Sequence, residues 1–369
     1  MSGAQELAVF WHDAVLEHDT GLGIWEAPPS DLLASLERHP ENALRVANMK
    51  SILERGPLAE RIEWHDGRLA ERDELETIHE PSYIDAVQRA AEHGERVEEN
   101  TVAGTGSWEP LLAAAGTSLA ALDHVLEGEA DIALALVRPP GHHAQPAQAD
   151  GYCFFNHTAL AAQRGRTRGL DRVAIVDWDV HHGNGTQACF YDRADVLTVS
   201  LHMRTGLWGP THPQTGVPAE VGDGDGQGFN INVELPIGSG DRAYELAFHD
   251  IVAPVLEQFA PQLIIGACGQ DASAFDGNGR QNVSMDGFRA IGERFAEVAR
   301  EVCDGRMVMI QEGGYAVTYA AYCLHATLEG VLGTGALLED PLAYIGDDFT
   351  RARHSVEDIQ SALSRYWSF

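Results

Sequence analysis

The chain has 369 residues and a formal net charge of −31, from 25 basic and 56 acidic residues. That balance disfavours nucleic-acid binding, which wants a basic surface, while the length allows one large α/β domain or two ordinary ones and a hydrophobic content of 44% allows a sizeable core. Only one basic residue, Lys50, is a lysine, which fits either adaptation to high salt or an arginine-favouring codon usage over an ordinary acidic surface.

The predicted elements follow in chain order. LAVFW (7–11) reads as a buried strand, and a Gly/Pro-rich loop covers 16–40. PENALRVANMKSILERG reads as a helix opened by Pro40 and closed by Gly56. RIEWH (61–65) is the second strand. PLLAAAGTSLAALDHVLEG (110–128) is apolar enough for a helix packed on a sheet, and IALALV (132–137) is the third strand. A second Gly/Pro-rich loop covers 138–152. VAIVDWD (173–179) and VLTVSLH (196–202) are strands, and a third long loop covers 203–228. FNINVEL (229–235) and LIIGACG (263–269) follow. A helix starts at the N-cap candidate Ser284. MVMIQEGG (307–314) is the eighth strand, and YAAYCLHATLEGVLG (319–333) a further helix. Strands apolar throughout, alternating with helices, predict a mostly parallel sheet with helices on both faces, in a single domain over 1–369. Five scattered cysteines without C-x-x-C spacing argue for a reducing, cytoplasmic setting and against a thiolate zinc site. We read no signal peptide and no apolar stretch of membrane-spanning length.

Ligands of open α/β sheets bind beyond the C-terminal strand ends, so the residues there carry the most information. IALALV runs into RPPGHHAQ, with His142 and His143. VAIV runs into DWDVHHGN, LIIGACG into Gln270 and Asp271, and MVMIQEGG into Tyr315. Alternation along an extended chain puts Asp177, Asp179 and His181 on one face. Asp179, His181 and Asp271 then offer two carboxylates and one imidazole, a donor set that leaves a metal ion an open, catalytic position. Taken alone, Asp-x-His is a surface turn and a His pair a polar turn; four strand ends of one edge carrying such groups favour chemistry. Beside a metal, His142 and His143 supply a general base and acid. Asp177 and Asn184 are candidate orienting partners, one charged and one neutral, which would separate the two imidazoles. Tyr315, after two glycines, can donate to a developing oxyanion. DGDGQGFNINVE (223–234) mimics an EF-hand loop, but Asn230 replaces the apolar position and no helix flanks it, so we read it as a solvated acidic loop.

The segments RPPGHHA, GYCFFN, DWDVHHGNGTQ, TVSLH, GACGQDA and QEGGY resemble, in order, the signatures of the histone deacetylase and acetylpolyamine amidohydrolase superfamily. Asn184 resembles the class II branch and its bacterial relatives. The resemblance runs from about His18 to Leu332. It implies the three-layer arginase–deacetylase fold and a zinc-dependent hydrolase of linear amides. Zinc would sit on Asp179, His181 and Asp271. His142, held by Asp177, and His143, near Asn184, would form the proton-transfer pair, with His143 delivering a proton to the leaving amine. Tyr315 would polarise the acyl carbonyl, and Gly151 and Tyr152 would line the acyl tunnel. Potassium would bind near Asp177, Asp179, His181, Ser200 and Leu201. A second monovalent site would involve Phe190, Arg193, Val196 and Phe229, where Arg193 and Phe229 depart from the commoner Thr and Tyr. The family's aromatic second wall is represented here by THPQTG, placing His212 there, with Trp208 of the preceding insertion as another wall.

Two other readings compete. A binuclear manganese, arginase-like ureohydrolase needs more acids than Asn184, Ala272 and Ser273 supply. A non-catalytic acyl-lysine reader would not need His142, His143 and Tyr315. The substrates expected are small acylated amines and acyl-lysine peptides, because the rim loops 16–40 and 203–228, with Trp25, Trp208 and His212, favour slender ligands. Family members range from monomer to tetramer, so a homo-oligomer is left open.

Overall fold

The computed structural model describes residues 6–23, 30–204, 212, 214–340 and 349–369. Eight strands form the central sheet: β1 (Leu7–Trp11), β2 (Ile62–Asp66), β3 (Ile132–Ala135), β4 (Val173–Asp177), β5 (Val196–Met203), β6 (Asn230–Leu235), β7 (Leu263–Cys268) and β8 (Met307–Gln311). Their spatial order is β2-β1-β3-β8-β7-β4-β5-β6, and every pairing is parallel. All eight strands read from the sequence are present, shifted by a residue or shortened at their ends.

Why the strands are apolar throughout follows from the two clusters they feed. Leu7 and Val9 join one core cluster while Ala8 and Phe10 join the other; Ile132 and Leu134 are divided from Ala133 and Ala135, and Met307 and Met309 from Val308 and Ile310, in the same way. Apart from the edge strand β2, which is partly exposed, the strands are covered on both faces, so the period of two sorts side chains between layers rather than between core and solvent. One layer contains the helices α1 (Leu44–Arg55), α4 (Met285–Cys303) and α5 (Tyr319–Val331), with Met49, Phe288, Phe295 and Leu324 in the core. The other contains α2 (Trp108–Leu126) and α3 (His157–Thr167), whose Ala114, Ala121, Ala159 and Ala162 meet the small Ala8, Ala133 and Ala135 of the sheet. Ser284 caps α4 as expected, accepting from Gly287 N. Helix α1 starts at Leu44 rather than Pro40. Asn42, not the proline, supplies the start: its Oδ1 accepts from Leu44 N at 3.1 Å. The 223–234 stretch holds a short turn at Gly224–Gly226 and then strand β6, not an EF-hand.

The topology places the site. Strands β3, β8, β7 and β4, scattered in sequence, are consecutive neighbours in the sheet, so the four chemistry-bearing ends open onto one edge. Trp178 fixes the end of β4. It is fully buried, with its ring 5.0 Å from Phe295, and Gly266 leaves the space it needs, since a Cβ there would lie 2.6 Å from the indole. With Trp178 and Val180 turned into the core, the alternating Asp177, Asp179 and His181 face the other way. Truncating Trp178 to Ala would cost about 3–5 kcal/mol.

Candidate active site

Asp179, His181 and Asp271 converge, with ligand atoms within 4.8 Å of one another. His181 Nδ1 lies 3.1 Å from both Asp179 Oδ1 and Asp271 Oδ2. The outer carboxylate oxygens are held by the backbone: Gly313 N donates to Asp179 Oδ2 and Val180 N to Asp271 Oδ1, each at 2.8 Å. The chain comes this close because residue 313 is glycine. A Cβ there would sit 2.1 Å from Asp271 Oδ2 and 2.5 Å from Asp179 Oδ2.

Two buried carboxylates so close demand positive charge. Burial and the Asp179 charge push the Asp271 carboxyl up to about 7. Burial acts the same way on Asp179, but His142 and His181 hold it below its ordinary value. Burial would lower His181; its hydrogen bonds to both carboxylates instead raise it to about 10. The proton on His181 thus stands where a cation of higher charge would do better, and the donor set suits a zinc-class ion. A second grouping, His142, Cys153 and Glu312, also falls within 4.8 Å, but it suits a metal poorly. Burial keeps Cys153 a thiol and pushes Glu312 up to about 8, and Glu312 Oε2 already accepts from Gly141 N and His142 N at 2.6 and 3.1 Å.

His142 and His143 lie side by side next to this cluster, ring centroids 4.0 Å apart and planes tilted by 45°. His142 Nδ1 donates to Asp177 Oδ2 at 2.8 Å, and His143 Nδ1 to Asn184 Oδ1 at 2.5 Å. Burial opposes charge on both. For His142 the carboxylates of Asp177 and Asp179 overcome it and raise the imidazole well above its ordinary value. For His143 no carboxylate does so, and burial together with His142, His212 and His181 drives it well below. The expected separation of the two imidazoles by their partners is present in the geometry.

The rim is built from aromatic and polar groups. Gly151 and Tyr152 both have positive φ, 52° and 69°. Gly151 lies against His143, where a Cβ would come 2.3 Å from the ring. The Tyr152 ring meets Tyr315 edge-on at 5.7 Å and His39 at 4.8 Å. Burial, with Asp179 and Asp271, pushes the Tyr315 phenol well up against the pull of Arg45, so it stays a proton donor. His212 lies 5.8 Å from the His143 ring, but it is not a bare wall: its Nδ1 donates to Asp150. Trp25 and Trp208 lie outside the described residues.

Of the monovalent candidates, Asp177 and Ser200 pair across β4 and β5 and line a polar cavity of ≈ 10 Å³ with Gln187, Asn230 and Asn232, about the size of one water. Leu201, next in β5, is buried in the core. At the second candidate site, with Val196 and Phe229, Arg193 pairs with Asp195 at 2.8 Å and lays its guanidinium 5.1 Å over Phe190, so that corner already carries a positive charge.

Sequence reasoning missed the supports. Arg45 is buried. It donates to Gly314 O at 2.6 Å and Glu312 O at 2.7 Å, pairs with Glu41 at 2.8 Å, and covers the Tyr315 ring at 4.5 Å. Its signal was an arginine at the spacing of the apolar face of α1, four residues after Glu41. Asp276 Oδ2 accepts from Tyr315 N and Ala316 N at 2.6 and 3.0 Å. Asp150 accepts from Asn184 Nδ2 at 3.0 Å; its only signal was its place beside Gly151.

The model of the histone deacetylase domain matches residues 39–331. Histone deacetylase 8 of Arabidopsis thaliana is 49% identical over 98% of this chain and 97% of its own length. The histone deacetylase-like amidohydrolase of Pseudomonas aeruginosa is 39% identical over 91% of this chain and 88% of its own. The crystal structure of the HDA15 HD domain superposes with a TM-score of 0.83 at 29% identity, covering 99% of this chain and 96% of that one. The chain belongs to the histone deacetylase family, and the expected fold and class of hydrolase are borne out. Among the described residues no helix is long and apolar enough to cross a membrane.

Proposed function

We propose that the protein is a zinc-dependent deacetylase acting on slender substrates, small acylated amines and short acyl-lysine peptides, in the cytoplasm. The observation that carries this reading is the convergence of Asp179, His181 and Asp271 beside two adjacent imidazoles, one hydrogen-bonded to a carboxylate and the other to an amide. A zinc-class ion held by Asp179, His181 and Asp271 supplies Lewis acidity, acidifying water and polarising the acyl carbonyl. His143, neutral and with Nδ1 committed to Asn184, takes the water proton at Nε2 and returns it to the leaving amine. His142, charged against Asp177, stays an imidazolium and favours the negative charge that develops beside it. Tyr315 donates a hydrogen bond from its phenol to the carbonyl oxygen as charge builds there, keeping its proton. The Tyr152 and Tyr315 rings flank the narrow apolar stem of the acyl chain. The manganese reading is disfavoured because Asn184, Ala272 and Ser273 are the residues around Asp179 and Asp271 where further acids would be needed. We propose a monovalent cation beside Asp177 and Ser200 as a structural support.

The test combines metal and substrate. Chelation should abolish hydrolysis of an acetyl-lysine tripeptide, and zinc or cobalt should restore it. Asp179→Ala and His181→Ala should each lose the metal, while Tyr315→Phe should keep it and lose at least ~10²-fold in turnover. Full activity in the chelated protein overturns the zinc reading. Faster turnover of intact acetylated histone than of acetylputrescine and the tripeptide overturns the slender-substrate reading.

A further inference from the structure

Asp150 sits where two hydrogen bonds meet. It is 1% exposed. Its Oδ2 accepts from Asn184 Nδ2 at 3.0 Å, and His212 Nδ1 reaches its two oxygens at 2.9 and 3.1 Å. Asn184 in turn offers Oδ1 to His143 Nδ1 at 2.5 Å. The run His212–Asp150–Asn184–His143 connects the rim to the proton-transfer imidazole. Its backbone is fixed as well. Asp150 and Cys153 exchange N–H···O bonds of 3.2 and 2.8 Å across the positive-φ pair Gly151–Tyr152. The turn that lays Gly151 on the His143 ring therefore also aims the Asp150 carboxylate at Asn184.

A primary amide has two faces, and either could meet an imidazole. If the oxygen faces Nδ1, the ring carries its proton there; if the NH₂ faces it, the proton moves to Nε2. An ionised carboxylate removes the choice, because it only accepts. With Asp150 on one side, the Asn184 NH₂ must turn to it, the Asn184 oxygen must face His143, and the His143 proton must be on Nδ1. The Nε2 lone pair is then free for the reaction. We propose that Asp150 is a positioning residue that fixes the Nδ1–H tautomer of His143 through the Asn184 amide, with His212 holding the carboxylate from the rim. This rests on reading His143 as the group that takes the water proton. The neighbouring His142 needs no such device, since Asp177 is itself acceptor-only.

Exchange of the two groups tests it. Asp150→Asn lets the Asn184 amide sit either way. Asn184→Asp gives His143 an acceptor but sets carboxylate against carboxylate. In the double variant the amide and the acid have traded places: the amide at position 150 donates to the carboxylate at position 184, which fixes the Nδ1 proton of His143 again but also favours charge on that ring, as Asp177 does for His142. Each single variant should lower kcat on an acetyl-lysine tripeptide by about ten- to a hundred-fold with KM little changed, and the double variant should stay slow as well, because the carboxylate at position 184 favours the His143 imidazolium. His212→Gln should cost less than Asp150→Asn. Independently of turnover, ¹⁵N-histidine spectra of the purified protein, with His143 assigned by its absence in His143→Ala, should report Nδ1–H in the parent. Both tautomers should appear in Asp150→Asn, and in the double variant Nδ1 should again be protonated throughout. Parental kcat and a single Nδ1–H tautomer in Asp150→Asn overturn the proposal. So does a double variant in which the His143 Nδ1 lacks its proton, or a His212→Gln loss exceeding that of Asp150→Asn. If the parent hydrolyses no amide, the deacetylase reading fails, and the spectra still decide the role of Asp150.

Discussion

Two imidazoles of the same site, adjacent in sequence and 4.0 Å apart, end in opposite states. Both are buried, so desolvation disfavours charge on each. What differs is the atom facing Nδ1, a carboxylate oxygen for His142 and an amide oxygen for His143. Burial therefore sets only the background, and the partner decides the charge. The difference also orders them in space. The charged ring needs counter-charge and lies deeper, its Nε2 3.7 Å from Asp179 Oδ1, while the neutral ring faces Gly151 and His212 at the rim.

The largest effect should come from removing the neutral member. His143→Ala should lower turnover by ~10²–10⁴-fold, the scale of one general acid–base contribution, with metal content unchanged. A loss under tenfold would make the two histidines functionally alike and erase the comparison. Next comes making the pairs alike. Asp177→Asn gives His142 the same kind of partner as His143, so burial is opposed only by Asp179 and Glu312 and the ring falls toward neutrality. Turnover should drop about ten- to a hundred-fold, and the spectra of His142 should lose their imidazolium signature at pH 7. An imidazolium that persists in the variant would assign the charge to Asp179 instead.

The contrast between the pairs was legible in the sequence as far as side-chain type and strand-end position could carry it. His142, His143, Asp177 and Asn184 follow directly from apolar runs, and a parallel sheet brings such ends to one edge. The strands themselves were readable because burial on both faces leaves little but apolar residues. Helix α1 was misread at its start because Pro40 and Asn42 both suit a helix entry, and the local bond from Leu44 N to Asn42 Oδ1 places it after the asparagine. The supports were hidden for a different reason. Arg45, Asp150 and Asp276 lie 269, 34 and 39 residues from the Gly314, Asn184 and Tyr315 atoms they hold. Only Arg45, four residues after Glu41 on the buried face of α1, has a local signal, and a buried charge becomes readable only when the fold brings up its partner.

Elsewhere in the chain, buried histidines repeat the neutral case and give the comparison a thermodynamic form. Burial lowers His79 and His157 from 6.5 to about 4 each, against weaker hydrogen bonds to the Gln145 and Pro139 carbonyls. In the unfolded chain both bind a proton below pH 6.5, whereas in the fold they resist until about 4. Their stabilising contribution is therefore complete above pH 6.5 and is lost as the pH falls from there through 4. Each is worth on the order of 3 kcal/mol at the acid end. Denaturant melts of the parent between pH 7 and 4 should show this slope, and His157→Gln should reduce it by close to one proton. An unchanged slope in that variant would mean that His157 is already protonated in the fold.

Salt separates the buried pairs from the acidic exterior. At a net charge of −31 the surface repels itself in dilute buffer, and the screening length falls from ~10 Å at 0.1 M to ~3 Å at 1 M. The two histidine pairs are buried at 2.5–2.8 Å and feel little of this, whereas exposed carboxylates far from any arginine feel most of it. The melting temperature should rise by a few degrees between dilute buffer and molar salt, equally in NaCl and KCl, while the separation of the His142 and His143 protonation states stays fixed. A flat melting temperature would remove high-salt adaptation as the reason for the lysine-poor, acidic composition. A rise confined to millimolar KCl would assign the gain to a cation beside Asp177 and Ser200, in the cavity next to the charged pair, and so tie salt dependence to the site rather than to the surface.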